Sequence, residues 1–421
     1  MIEEFTRRRN FPYLHGVLLA TNAIRDARLL VDGPNCSFFK SEHVFGAHDI
    51  ESTLLDVSGQ HRVAHTDLHP NLMVTEHDRR FVEVLGHVAG TKGAGVVMVA
   101  TMPMVSVTGV DLEALADQVS PAEGGIVILP ARSLERCWLD GYADTLRRLA
   151  ECIDLPAATP DPGRVALIGY LMDRNEGDHR GNLKEMRRLA ESLGLQVSTV
   201  WLDGGPYADL RRVAEAGTLI ALPHGRAAAE VLASRTGALV VQAGLPFGLD
   251  ASDRFLHAMA VPSGRTDLAA SVAADERSRI VRSWEWLVPR RFMFRKLGFA
   301  GDPHMMAGFC DLATLLGAEV PVLVAYARRP QDWESAWSFL PTAPLWEPRI
   351  GEISNQDLAR DLDLMVANSD LLDDLGGHGL EFGFPSRRVH HSADAAYLGY
   401  NGALAFVDSL SNTLGDRSAR R

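Results

Sequence analysis

Short runs of Val, Ile, Leu and Ala alternate along the chain with glycine-containing turns and with segments whose apolar residues recur every three or four positions. The runs predict buried strands and the segments between them predict amphipathic helices, as repeated βαβ units require. Strands are predicted at residues 96–100, 126–129, 165–170, 197–201, 219–222, 239–242, 297–300, 320–326, 365–367 and 380–384. Helices are predicted at residues 111–119, 182–193, 266–290, 305–316 and 398–410. The pattern therefore predicts an α/β protein built on open parallel sheets.

Breaks between these units predict three domains. Residues 157–163 are rich in Pro, Asp and Thr and are interpreted as a linker, and the helix predicted at 266–290 leads into another strand-and-turn opening. The 421 residues also exceed one ordinary core of about 100–200 residues. The predicted domains are 1–160, 161–290 and 291–421. Such sheets bind ligands at the carboxyl ends of their strands, so candidate residues are sought there.

Composition and charge exclude some classes of function. A formal net charge of -12 disfavours nucleic acid binding, which depends on clustered Lys and Arg. The longest uncharged run, 93–110, contains Pro103 and predicts a buried strand followed by a loop rather than a membrane span. Residues 1–10 lack the apolar stretch of a secretory signal, and four unevenly spaced cysteines do not resemble a disulfide framework. We expect a cytoplasmic protein with no nucleic acid or membrane partner.

Several segments, taken in order along the chain, carry a family resemblance. They are residues 11–16, 31–36, 65–68, 75–78 and 99–111, then 165–170 and 245–256, then 301–303, 383–385 and 397–403. They resemble segments of nitrogenase component 1 and its relatives, the dark-operative protochlorophyllide and chlorophyllide reductases and the nitrogenase cofactor scaffold. The resemblance runs almost end to end and implies three Rossmann-like domains of the component 1 kind.

Cys36, in the sequence Gly-Pro-Asn-Cys, is the candidate metal ligand. Family members with three cluster cysteines place one before the first helix, one in the loop that Cys36 occupies and one after the second strand. The outer two positions fall here near Asn10 or Phe11 and near Pro103, which offer no thiolate. A 4Fe-4S cluster needs four ligands, and a homodimer would supply two. The resemblance therefore implies a cluster shared with a component 1-like partner subunit that supplies three cysteines; the alternative is a small buried hydrophobic residue.

The remaining cysteines are expected to be structural. Cys137, Cys152 and Cys310 lie in or beside predicted helices, without a neighbouring Cys or His pair, so burial is expected for all three. Catalytic family members carry a cofactor-binding cysteine near the strand at 219–222, and none is present here. This absence argues against a nitrogenase-type active-site cofactor held by this chain.

Histidines provide the candidates for catalysis. Eight of the 15 lie between His15 and His87, but their spacing resembles no closed zinc site. His65, with His69, is a candidate to flank a cluster or substrate as a hydrogen-bond donor or acid–base group. His224 with Arg226, and His304 with Asp302, follow predicted strands, where the alternative is helix capping. His390 and His391 with Arg387 and Arg388 form a further candidate for a substrate carboxylate, or a solvated loop.

Two kinds of function remain open. No phosphate-binding Gly-x-x-x-x-Gly-Lys-Ser/Thr loop is present, so the resemblance implies that a separate dimeric iron–sulfur ATPase uses ATP and delivers electrons. The first interpretation is a reductase subunit that relays electrons through the shared cluster to an undetermined substrate. A tetrapyrrole substrate is one version, which the lack of an evident extra C-terminal domain weakens. The second is a non-catalytic scaffold for metallocofactor assembly; a third, a cluster-free α/β binding protein, would follow if Cys36 were buried away from any interface.

Overall fold

The computed structural model describes residues 11–45, 47–55, 61–120, 125–330, 337–349, 352, 361–376 and 379–418, with the backbone alone at 43–45 and 416–418. Two expectations concern residues 1–10: that they form no secretory signal, and that a family cysteine position falls near Asn10. These residues lie outside the part of the chain that the structure describes. Within that part, no helix combines the length and the apolar character needed to cross a membrane.

The first sheet has the strand order β2-β1-β3-β4, with parallel pairing throughout. Its strands are β1 (Ala27–Asp32), β2 (Val63–His65), β3 (Val96–Thr101) and β4 (Ile126–Ile128). Its helices are α1 (Tyr13–Asn22), α2 (Phe38–Phe45), α3 (Pro70–Met73), α4 (His77–Ala89), α5 (Pro103–Ser106), α6 (Leu112–Ala116) and α7 (Trp138–Cys152). Every residue of β3 is buried, as expected for a strand covered on both faces.

The second sheet has the order β6-β5-β7-β8, in which β7 pairs in parallel with β5 and β8. Its strands are β5 (Asp161–Ile168), β6 (Gln196–Val200), β7 (Ala216–Ala221) and β8 (Leu239–Gln242). The helices of this part of the sequence are α8 (Gly177–Ser192), α9 (Arg226–Thr236), α10 (Leu249–Ala260) and α11 (Thr266–Trp284).

The third sheet is parallel throughout and has the order β11-β10-β9-β12-β13. Its strands are β9 (Lys296–Gly301), β10 (Glu319–Ala325), β11 (Leu345–Trp346), β12 (Leu364–Ala367) and β13 (Leu380–Glu381). Its helices are α12 (Pro303–Leu315), α13 (Ser369–Asp374) and α14 (Gly399–Ser418). The α/β class and the parallel sheets predicted from the sequence are confirmed.

Contacts divide the chain into two compact units. One comprises Pro12–Asn175 and Val197–Gln242, and the other comprises Met1–Phe11, Glu176–Gln196 and Ala243–Arg421. Helix α8 therefore belongs to the unit that contains the third sheet, although it follows β5 in the sequence. The three domains predicted at 1–160, 161–290 and 291–421 stay a prediction.

Several local expectations differ from the structure. Strand β5 begins inside the predicted linker, because its first residues, from Asp161, are polar and exposed while pairing with β7. The helix predicted at 266–290 ends as an α-helix at Trp284 and is followed by a π-helical turn, Val288–Phe292, that contains Pro289. Strands β1, β2 and β11 were not predicted; β2 and β11, with three and two residues, are too short for a periodic signal.

Candidate metal centre at the carboxyl end of the first sheet

Cys36 lies in the loop that follows β1, and residues 33–37 are called the Cys36 loop here. Strand β1 ends at Asp32, and a single 3₁₀ turn, Asn35–Ser37, places Cys36 at the surface and Ser37 in the interior. In the order β2-β1-β3-β4, the connection after β1 runs to β2 on one side of the sheet, and the connection after β3 runs to β4 on the other side. The Cys36 loop therefore starts at the topological switch point, where open α/β sheets bind ligands.

Gly33 allows the loop to leave the strand. Its φ is +149°, and a Cβ built on it would lie 2.6 Å from the Met102 side chain. Both the conformation and the space therefore require glycine. The backbone is fixed as well, because the Leu68 amide donates to the Gly33 carbonyl oxygen over 3.3 Å.

A buried polar network lies beneath the Cys36 loop. The Asp32 carboxylate is fully buried and accepts hydrogen bonds from the Thr66 hydroxyl at 2.9 Å and from Nε2 of His77 at 2.9 Å. The Thr66 hydroxyl in turn accepts the Gly33 amide at 2.8 Å. Asp78 lies 3.0 Å from Nδ1 of His77, so both ring nitrogens of His77 face carboxylates. This arrangement favours a doubly protonated imidazolium that balances the charge of Asp32.

The pKa shifts follow from this geometry. Burial alone would lower the pKa of His77, but its hydrogen bonds with Asp78 and Asp32 outweigh burial and raise it. Burial raises the pKa of Asp32, and the hydrogen bonds from His77 and Thr66 only partly offset that rise. The pair is a charge-assisted interaction in the interior, where losing one partner would leave the other uncompensated.

His65, the last residue of β2, lies against the far end of the Cys36 loop. Its Nδ1 is 2.7 Å from the Ser37 hydroxyl, and its ring packs edge-on against Phe38 with centroids 6.0 Å apart. Its Nε2 is buried without a hydrogen-bond partner among the described residues. Burial lowers the pKa of His65 to about 4, so the ring is neutral near pH 7. A neutral ring suits a hydrogen-bonding role beside the loop better than that of a cation.

Lys40, on the first turn of α2, lies near enough to Cys36 for their charges to interact. Burial lowers the pKa of the Lys40 ammonium group, and the Cys36 thiolate charge opposes this shift. The thiolate is the form of cysteine that binds iron. The exposed sulfur and the nearby cation thus fit one corner of a metal cluster.

The other predicted catalytic histidines lie at other sheets. His224 is buried in a 3₁₀ turn after β7, with its ring edge-on to Tyr142 at a centroid distance of 6.4 Å. His304 lies in the first turn of α12, after β9, and its ring is 6.0 Å from that of Trp337. Cys36, with His65, is at the first sheet, so these candidates do not form one cluster within either unit.

The remaining polar candidates have mostly structural contacts. His69 is exposed, 3.9 Å from the Asp67 carboxylate, and Arg226 begins α9. Asp302 caps α12 by accepting the His304 amide at 2.9 Å. The residues of the predicted group at 387–391 have different partners. Arg387 and Arg388 pair with Asp370 and Asp373. His390 donates through Nδ1 to Glu176 at 2.8 Å, and the His391 amide donates to the same carboxylate at 2.9 Å.

The expectation for the other cysteines is confirmed for two of three. Cys137, before α7, and Cys310, in α12, are buried, and burial raises the pKa of the Cys310 thiol to about 12. Cys152 is exposed, so the prediction of burial was wrong there. The reason is its position. Leu149 and Ala150 are the last buried residues of α7, and Cys152 lies beyond them at the end of the helix. No three His, Cys, Asp or Glu side chains gather into a metal site within the described ranges.

Sequence reasoning did not single out Asp32, Thr66 or His77, although all three lie in segments that carry the family resemblance. A signal was present for Asp32, which is an acidic residue at the end of an otherwise apolar strand and directly before a glycine. Its partner His77 is 45 residues away, beyond the range of any local pattern.

A family model described as nitrogenase component 1 type oxidoreductase matches residues 13–415. One subunit of the light-independent protochlorophyllide reductase of Acidiphilium rubrum is 29% identical over 208 residues, covering 48% of this chain and 40% of that protein. The same subunit of the Methylobacterium radiotolerans enzyme is 33% identical over 211 residues, covering 48% and 38%. The nitrogenase molybdenum-iron protein beta chain of Methanococcus maripaludis is 25% identical over 226 residues, covering 51% and 48%. The chain thus spans less than half the length of the curated relatives it matches.

A solved nitrogenase structure, Cp1 at pH 6.5, has the same fold. It superposes with a TM-score of 0.81 at 15% sequence identity, covering 99% of this chain and 94% of the nitrogenase chain. At this identity the likeness concerns the fold alone.

Proposed function

Because this chain belongs to the nitrogenase component 1 type oxidoreductase family, we propose that it is one subunit of an ATP-dependent, two-component cytoplasmic reductase. In this proposal Cys36 ligates a 4Fe-4S cluster, and a component 1-like partner subunit supplies the other three thiolates. When bound, the cluster would accept and pass on single electrons. A separate dimeric iron–sulfur ATPase would use the ATP.

The observation that carries the proposal is an exposed cysteine on a loop whose backbone is hydrogen-bonded to a buried polar network. Cys36 is at the surface, whereas Asp32 and Ser37, which flank it in the same segment, are fully buried. A ligand of a shared cluster must be reachable by a second chain and must also hold its position, since ligation leaves little tolerance in distance. The contrast between Cys36 and the buried Cys310 supports the first requirement. The network of Asp32 and Thr66 supports the second.

Two cysteine variants test the proposal. The chain is co-expressed with a component 1-like protein that carries three cluster cysteines and purified without oxygen, and iron content and electron paramagnetic resonance are measured on the complex. We expect Cys36→Ala to lose most of the bound iron and the cluster signal. Cys152→Ala, which removes another exposed cysteine away from the loop, should keep both. Equal iron in the Cys36→Ala and wild-type complexes would refute ligation.

A tetrapyrrole substrate is the second candidate that an observation favours. Two of the relatives are named as subunits of light-independent protochlorophyllide reductase, at 29% and 33% identity. The test is to supply the purified complex with protochlorophyllide, ATP, a reductase-type iron–sulfur ATPase and dithionite as the electron donor, and to follow the absorbance of the chlorin product. Turnover that Cys36→Ala abolishes supports this version. A complex that holds its cluster but leaves protochlorophyllide unchanged would exclude it.

A further inference from the structure

Residues 65–68, His65-Thr66-Asp67-Leu68, supply contacts to both ends of the Cys36 loop, and they are called the clamp segment here. At one end, Gly33 donates its amide to the Thr66 hydroxyl over 2.8 Å and accepts the Leu68 amide over 3.3 Å. At the other end, the Ser37 hydroxyl lies 2.7 Å from Nδ1 of His65. The clamp segment therefore contacts residues on both sides of Cys36.

The clamp segment is itself fixed. The Thr66 amide donates to the carbonyl oxygen of Val31 at 3.2 Å, and its hydroxyl donates to the buried Asp32 carboxylate at 2.9 Å. Asp67, between Thr66 and Leu68, adopts a φ of +54°, a left-handed conformation that residues other than glycine rarely adopt. Such backbone conformations persist only where the surrounding structure determines them, and they cluster at functional sites.

We infer that the clamp segment positions Cys36 for ligation, with Thr66 and His65 as positioning residues that act through Gly33 and Ser37. This role rests on the proposed function of Cys36. In this inference His65 holds the loop through its Nδ1, which contacts the Ser37 hydroxyl, and does not act as an acid–base catalyst. Because four sulfur ligands must meet one cluster, a loop held at both ends presents Cys36 in one place before the partner arrives.

The test removes one contact at a time. Thr66→Val keeps the shape of the side chain and removes the hydroxyl, while Thr66→Ser keeps the hydroxyl. Ser37→Ala removes the contact at the other end with a small change in volume. The control is Thr108→Val, which removes a hydroxyl that donates to the Val105 carbonyl oxygen at 2.7 Å, in the segment after β3.

The first measurement is amide hydrogen exchange of the isolated full chain, which needs no cluster. We expect Thr66→Val to speed exchange at residues 33–37 at least tenfold, with residues of β3 and β7 unchanged. Ser37→Ala should give a smaller increase at the same residues. Thr66→Ser and Thr108→Val should exchange there as the wild type does. Wild-type exchange of the Cys36 loop in both Thr66→Val and Ser37→Ala, or equal loosening of β3, would overturn the inference.

The second measurement is made on the anaerobic complex. We expect Thr66→Val to shift the midpoint potential or the g values of the cluster and Thr66→Ser to restore them, which a change in overall stability would not do. If Cys36→Ala loses the cluster while Thr66→Val leaves its potential and spectrum unchanged, the inference fails and the proposed function stands. If Cys36→Ala keeps the cluster, the proposed function fails, whatever the exchange shows.

Discussion

Two regions of the molecule use a buried carboxylate to hold a loop, and they leave the loop in different states. In the first sheet, Asp32 is linked through Thr66 to the start of the Cys36 loop. In the other unit, Glu176, also fully buried, accepts His390 and the His391 amide at the start of the segment 390–401. This segment crosses α8, and its backbone and side chains bond to that helix.

The difference lies in what each loop does with its polar side chains. Along 390–401, Asn182 accepts the amides of Tyr397 and Leu398 at 2.9 Å each, and Glu185 accepts the side-chain amide of Asn401 at 2.7 Å. The segment is thereby fastened to α8. In the Cys36 loop the flanking residues are fastened and the sulfur is left at the surface. A fixed backbone that presents an exposed reactive group is typical of a site, whereas polar groups used within the fold are typical of structure.

The largest expected effect comes from the first region. Asp32→Ala leaves His77 buried without its interior counter-charge, so we expect the free energy of unfolding to fall by about 3–5 kcal/mol, measured by urea denaturation. Asp78→Ala is the matched control, because Asp78 contacts the same ring but its side chain is 69% exposed, and it should cost at most about 1 kcal/mol. Equal losses in both variants would mean that the buried contact has no special weight.

The corresponding change in the second region should cost less. Glu176 is fully buried, but its partner His390 is 28% exposed and can be solvated when the carboxylate is lost. We expect Glu176→Ala to lower the free energy of unfolding by about 2 kcal/mol and to speed amide exchange at 390–401. Lys184→Ala, which removes an exposed partner of Asp394, should leave exchange there close to that of the wild type. A larger loss than in Asp32→Ala would reverse the ranking of the two regions.

A pH dependence should separate the regions further. The pKa of His77 is raised above its ordinary value of 6.5, because its hydrogen bonds with Asp78 and Asp32 outweigh burial. Its stabilising contribution is therefore complete below pH 6.5 and is lost as the pH rises through the raised pKa of the folded state. We expect the stability difference between wild type and His77→Gln to be larger at pH 6 than at pH 9 in urea denaturation. A difference that grows with pH would contradict a protonated His77.

The sequence predicted what depends on local pattern. Strands such as β3 and β7 are continuous apolar runs, and Cys36 could be chosen because its Gly-Pro-Asn-Cys sequence resembles a family segment. The sequence could not show that Asp32 meets His77, because the pairing depends on how α4 packs under the sheet. Nor could it show that Cys152 is exposed, since exposure depends on where the neighbouring elements end. Helix and strand periods carry no information about such long-range packing.

The smallest expected effect tests most directly whether the Cys36 side chain is exposed without a role in packing, unlike the polar groups of the segment 390–401, which are bonded within the fold. If Cys36 is held only through its neighbours, its own side chain contributes little to folding, and Cys36→Ser should change the free energy of unfolding by less than about 0.5 kcal/mol. Cys310→Ser, at a buried cysteine in α12, places a hydroxyl in an apolar environment and should cost about 1–3 kcal/mol. Both are measured on the isolated chain by urea denaturation, so no cluster contributes. A loss at Cys36 as large as that at Cys310 would show that the Cys36 sulfur is part of the packing, and the contrast with the segment 390–401 would disappear.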